Sequence, residues 1–101
     1  MKNIYVCSPY RGEVEKNVKY AQAICRELVL KGDFTIAPHL YLTQFLDDNN
    51  EAERELAFKI NFKLLDHCDR LLVCGKKISS GMKAEIEYCE KINKEVRYYD
   101  N

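Results

Sequence analysis

The chain has 101 residues, room for one small domain with a single core and not for two. Sixteen Lys and Arg side chains balance sixteen Asp and Glu. They are interspersed, which excludes the basic footprint of a module that binds a nucleic-acid polymer. No apolar run nears the ~20 residues of a membrane span, and Met1-Lys2-Asn3 leads straight into a strand with no signal peptide ahead of it, so no membrane contact and a cytoplasmic location are expected.

Lys2 to Ser8 is apolar through its middle and reads as a strand stopped by Pro9. Ser8-Pro9-Tyr10-Arg11-Gly12 follows as a loop. From Glu13 to Lys31 the residues Val14, Val18, Ala21, Cys25, Leu28 and Val29 keep a helical period, and Gly32 is a good stop. Phe34 to Ala37 is a second strand, closed by Pro38 and followed by His39. Leu42 to Asn50 has no clear period, although Asp47-Asp48-Asn49-Asn50 has the chemistry of a loop and a helix cap.

Glu51 to Asp66 is a helix with apolar residues on two sides: Ala52, Leu56, Ile60 and Leu64, then Phe58, Phe62 and Leu65. Such a helix is wedged between a sheet and a second surface, for example another subunit. Asp69 to Cys74 is a short buried strand. Ser79-Ser80-Gly81 opens a third helix, and Glu95 to Tyr99 is a last strand. The alternation implies one domain over residues 1–101, a parallel sheet of about four strands with helices on both faces; a flavodoxin/Rossmann-like sheet with the order 2-1-3-4 is expected.

The five cysteines include no C-x-x-C pair. Cys7, Cys25, Cys74 and Cys89 fall at apolar-periodic positions and Cys68 precedes a strand, so they read as small hydrophobes. Neither His39 nor His67 lies in a ligand cluster. No metal and no cofactor is expected.

Glu85 stands apart. At about 100° per residue, Met82, Ile86 and Cys89 form one apolar stripe with Ile92 beside it, and Glu85 projects into that sector. A carboxylate there costs several kcal/mol to desolvate unless it is paired or used. A structural salt bridge and a reactive carboxylate are both open. Parallel sheets bind ligands beyond the carboxyl ends of their strands, so Arg11, His39 and the Ser79-Ser80-Gly81 loop should share one rim. Arg11 is either a surface arginine or a bidentate phosphate partner. Ser79 and Ser80 are either plain caps or, with the free N–H groups of the helix start, the other half of a phosphate grip. Neither G-x-G-x-x-G nor G-x-x-x-x-G-K-[ST] occurs, which argues against a dinucleotide enzyme or a P-loop NTPase.

Two motifs carry a resemblance. Tyr5-Val6-Cys7-Ser8-Pro9-Tyr10-Arg11-Gly12 matches Y-x-C-x-x-x-R-G, and Ser79-Ser80-Gly81-Met82-Lys83-Ala84-Glu85 matches S-x-G-x-x-x-E. Together they resemble the nucleoside 2-deoxyribosyltransferases and, most closely in motif, the 2'-deoxynucleoside 5'-phosphate N-hydrolases. The resemblance implies cleavage of the N-glycosidic bond of a (2'-deoxy)nucleoside 5'-monophosphate, by hydrolysis or base transfer, with Glu85 as nucleophile and no cofactor. It implies that Arg11, Ser79 and Ser80 hold the phosphate and that Ser8, Gly12 and Gly81, in the same motifs, are substrate-binding. Ser79 stands where transferases of free nucleosides carry an Asp. Tyr5 and Asn61 would line the base pocket, with His39 either part of its wall or a satisfied structural histidine.

Asn61 occupies a position where the family commonly has an acidic residue that can protonate the leaving base. Asn hydrogen-bonds a base and cannot serve as a general acid. On the residues alone, Asn61 could equally be polar surface on a wet helix face. The resemblance also implies a homodimer, and a pocket wall that is absent or supplied by a partner, because many relatives add a fifth strand. Two other readings use the same residues: a non-catalytic protein that binds or sequesters a nucleotide, and an interaction module built on the two-sided helix.

Overall fold

The computed structural model describes residues 1–99. Its sheet is all parallel and runs β2-β1-β3-β4, where β1 is Asn3–Cys7, β2 is Phe34–Ile36, β3 is Arg70–Val73 and β4 is Glu95–Tyr98. The helices are α1 (Val14–Leu30), α2 (Glu51–Asp66) and α3 (Ser80–Lys91). The expected order 2-1-3-4 is thus the observed one. Two short 3-10 turns follow β2, Pro38–Leu40 and Leu42–Gln44, the second of them opening the stretch without a period. No helix among the described residues is long and apolar enough to cross a membrane.

Strand alternation divides the core. Tyr5 and Cys7 of β1 and Leu71 and Val73 of β3 face one side, packed against Leu65 of α2 and Met82 and Cys89 of α3. Ile4 and Val6, with Leu72 and Cys74, face the other side and meet Ile24 of α1. The buried line of α1 runs through Ala21 and Ile24; Val14 and Val29, near its ends, are exposed, because the core they would reach stops short of them. Ile92 is likewise exposed, since it caps α3 and lies beyond the stripe.

Chain reversals follow local chemistry. Gly32 has φ +102°, and the bonds Gly32 N–H to Val29 O (3.0 Å) and Asp33 N–H to Leu28 O (3.0 Å) close α1 in a Schellman motif. Asn50 caps α2 by accepting from the Glu53 N–H at 3.1 Å. Along α2, Asn61 and Leu65 are buried, whereas Leu56 and Ile60 face outward, 52% and 40% exposed. The second apolar side expected of this helix is therefore open in the single chain. The chain passes from β2 across β1 to β3, so the order reverses at the carboxyl ends of β1 and β3, where a cleft opens.

Candidate functional site

The cleft has a volume of about 180 Å³. The loop after β1 gives it Pro9, Tyr10 and Arg11; the turns after β2 give Pro38, His39 and Leu42; α2 gives Ala57, Phe58 and Asn61; and α3 gives Ser79, Ser80, Gly81 and Glu85. Of the residues singled out in the sequence, Arg11, His39, Asn61, Ser79, Ser80, Gly81 and Glu85 meet on this one surface. Tyr5, Ser8 and Gly12 do not line it.

Glu85 lies on the floor, 4% exposed. Both carboxylate oxygens are engaged from β1: the Tyr5 hydroxyl donates to Oε2, and the Cys7 thiol reaches Oε1 at 3.4 Å. Their spacing of two along a strand places both side chains on the face that α3 covers. Burial raises the Glu85 pKa above the ordinary carboxylate value, and the two hydrogen bonds pull it back down. Burial first, and then the charge of Glu85, push Tyr5 and Cys7 well above their usual values, so both keep their protons and remain donors. No salt bridge to Glu85 exists among the described residues, which removes the structural ion pair as its explanation.

Tyr5 corrects an expectation. It was expected to line the base pocket, but at 1% exposure it sits beneath Glu85 and touches the cleft only through that carboxylate. An inward-pointing residue in the central strand of a covered sheet has no route to the surface. Ser8 is also sealed off, 1% exposed, and its hydroxyl has no hydrogen-bond partner among the described residues. Gly12, with φ +93°, falls outside the cleft and lines a neighbouring hollow.

Asn61 is 6% exposed, not on a wet face, and its Oδ1 has no partner among the described residues. A buried acceptor left open on a cleft wall is suited to a ligand donor, because an unmade hydrogen bond there is costly. His39 stacks on Tyr10 with ring centroids 5.2 Å apart. Burial lowers its pKa, against opposing contributions from Asp48 and the Ser8 backbone. It stands in the cleft wall.

At the mouth, Ser79 caps α3, its Oγ accepting from the Met82 N–H at 3.2 Å. Ser80 begins the helix, and its hydroxyl is exposed beside the same first turn. A Cβ on Gly81 would stand 3.3 Å from the Phe58 ring, a tight contact that marks how closely α2 approaches the start of α3. Arg11 is bound within the chain: Nε donates to Asp48 Oδ2 and Nη2 to the Asp48 carbonyl, each at 2.6 Å.

Asp48 and Phe58 were not singled out as site residues from the sequence. Asp48 sits in what reads as a capping cluster, and Phe58 in what reads as one side of a two-sided helix. Both signals were present and were fully accounted for by structural roles.

The parallel sheet and its strand order define a known class: the fold is that of the 2-deoxyribosyltransferases. The 2-deoxyribosyltransferase of the psychrotolerant bacterium Bacillus psychrosaccharolyticus superposes with a TM-score of 0.70 at 20% identity, over 95% of this chain and 70% of that one. The 2-desoxiribosyltransferase of Leishmania mexicana gives a TM-score of 0.70 at 15% identity, over 98% of this chain and 64% of its own length. The present chain thus spans somewhat under two thirds of the Leishmania protein. By sequence, the chain belongs to the family described as Domain of unknown function (DUF7768), which it matches over residues 2–99. No curated protein matches it.

Proposed function

We propose that this protein cleaves the N-glycosidic bond of a (2'-deoxy)nucleoside 5'-monophosphate. The observation that carries the reading is Glu85: a carboxylate 4% exposed, on the floor of a cleft, held by two protein donors and by no cation among the described residues. A carboxylate so placed has lost most of its hydration and is aimed by fixed neighbours, which suits attack on a carbon that develops positive charge.

In this reading a Glu85 oxygen bonds to C1' of the sugar as the bond from C1' to the base nitrogen breaks. The electron pair leaves with the base. Water, or a second base, then attacks C1' and releases the carboxylate. Arg11, Ser79, Ser80 and the first turn of α3 take the phosphate, and that remote binding energy orients C1' against Glu85. Asn61 hydrogen-bonds the base, with His39 in the wall beside it. Neither side chain is a strong proton donor near neutrality: Asn61 is an amide, and burial keeps the His39 ring neutral. The departing base therefore takes its proton from solvent, and departure is slow. Tyr5 and Cys7 are positioning residues for Glu85. The exposed Leu56 and Ile60 of α2 favour a homodimer that covers them, and sedimentation at micromolar concentration tests that assembly.

The deciding experiment follows free-base release by chromatography from a panel of deoxyribo- and ribonucleoside 5'-monophosphates and the matching nucleosides. Release from monophosphates is expected, with a loss of at least about a thousandfold in Glu85→Gln, the scale on which a covalent nucleophile acts. No release from any compound, with saturable monophosphate binding unchanged in Glu85→Gln, would overturn the enzyme reading. The Asn61 amide favours that outcome's alternative, a protein that holds a nucleotide without turning it over.

A further inference from the structure

We infer that Asp48 sets how tightly this site takes a phosphate, by occupying the Arg11 guanidinium that the phosphate needs. The inference rests on the nucleotide reading above and adds a specificity-determining residue to it.

Three carboxylates other than Glu85 line the cleft: Asp47, Asp48 and Glu53. Two are spent on their own loop. Asp47 Oδ1 accepts from the Asn49 N–H at 2.9 Å, and Glu53 Oε1 accepts from the Asp47 N–H at 3.0 Å. Asp48 alone turns to Arg11, and it takes two of the five guanidinium donors through its side chain and its own carbonyl. Only the Nε bond reaches the carboxylate; the Nη2 bond goes to the backbone carbonyl, so the fork is engaged by Asp48 without the two-oxygen grip that a phosphate would offer it. The carboxylate stands in for an anionic ligand.

The pair is built to exchange. Its side chains are 51% and 29% exposed, so the ion pair is solvated and weakly held. Apart from the Arg11 Nη2 bond to the Asp48 carbonyl, the backbones on both sides are held by bonds of their own. Asn17 Nδ2 donates to the carbonyls of Tyr10 (3.0 Å) and Arg11 (3.3 Å), and Asn50 anchors the other loop to the start of α2. Releasing Asp48 therefore requires side-chain rotation and no refolding of a loop. Arg11 and Asp48 also line both the cleft and the adjacent hollow bounded by Gly12, Val14 and Asn49.

A phosphate carrying nearly two charges outcompetes one carboxylate for Arg11, but it must first displace it, and the displaced carboxylate remains nearby as a like charge. Asp48 thus lowers affinity for the phosphate end while leaving the nucleoside end untouched. Removing its charge should shift selectivity toward phosphorylated ligands.

Calorimetric titration of wild type, Asp48→Asn and Asp48→Ala with inorganic phosphate, a 2'-deoxynucleoside 5'-monophosphate and its nucleoside tests this. Asp48→Asn keeps the size of the side chain and its backbone contact to Arg11. It should bind phosphate and the monophosphate about tenfold more tightly at low ionic strength, with nucleoside affinity unchanged. Arg11→Gln added to Asp48→Asn should cancel the gain. Unchanged or weaker phosphate binding in both Asp48 variants overturns the inference, as does absence of phosphate binding from every variant. Base release, measured in parallel, reports on the glycosidase reading separately: a turnover-dead protein whose phosphate affinity still rises with Asp48→Asn keeps this inference and loses that one.

Discussion

Glu85 and Arg11 face the same cleft and carry opposite charge, yet the molecule holds them differently. Glu85 is 4% exposed and gripped by Tyr5 and Cys7 from the central strand. The Arg11 side chain is 51% exposed and paired with Asp48, loop to loop. The floor is made of regular elements packed on both sides, so its dipoles cannot relax when a charge develops. The mouth is made of exposed groups whose partners can be swapped for a ligand. Chemistry belongs where reorganisation is costly, and binding and release where it is cheap.

The strongest way to break the comparison is to remove one donor from the floor. Tyr5→Phe keeps the ring in place and deletes the hydroxyl that donates to Glu85 Oε2. A hydrogen bond to a charged group contributes about 1.5–3 kcal/mol, so kcat for base release should fall by about tenfold to a hundredfold. KM should change little, since Tyr5 does not line the cleft. The pH profile carries a second signature. The Tyr5 bond lowers the Glu85 pKa against the effect of burial. Its loss raises that pKa further, and the acid limb of kcat must move to higher pH. An acid limb that stays put would show that Tyr5 is only core.

Asn61 sharpens the comparison from the wall. Its Oδ1 is unpartnered among the described residues, and the side chain is nearly isosteric with aspartate. Asn61→Asp should raise base release by about tenfold, below the usual 10²–10⁴ of a well-placed general acid because the new carboxyl is not otherwise tuned. The gain should be greatest at acid pH, where the new group is protonated. A rate unchanged across the whole pH range would mean that proton transfer to the base does not limit turnover.

The contrast between floor and mouth also explains what the sequence discloses. Glu85 betrays itself because helical phase is local: positions 82, 85 and 89 lie within two turns, and a carboxylate among Met82 and Cys89 breaks the pattern. Parallel pairing follows from strand and helix alternation with stops at Pro9 and Gly32, whereas the order of the strands needs the flavodoxin-like expectation as well. Strand alternation reveals that Tyr5 is buried, but not that its hydroxyl meets a carboxylate 80 positions away. Asp48 lies 37 positions from Arg11 on a loop with no period, and the same acidic cluster serves equally as a helix cap. Asn61 shows the same limit from the other side, since two-sided apolarity conceals which face of α2 lines the cleft.

The smallest expected effect concerns stability. Glu85 titrates higher in the folded protein than in the unfolded chain, chiefly because of burial. Below the unfolded pKa both states hold the proton and nothing is lost. As pH rises into the interval above it, the unfolded state releases its proton first, so unfolding is favoured and stability falls until the folded carboxyl also ionises. In Glu85→Gln the amide oxygen can still accept from Tyr5, and no charge need be buried. The variant should match wild type near pH 4 and be more stable near pH 8 by about 1 kcal/mol, the scale for one buried polar group. Urea midpoints at the two pH values measure the gap. A variant that is instead less stable than wild type near pH 8 would mean that Tyr5 and Cys7 more than offset the burial of the charge. Glu85 would then be a stabilising anchor, whereas a gap that widens marks a carboxylate kept at a cost to the fold, as a reactive group would be.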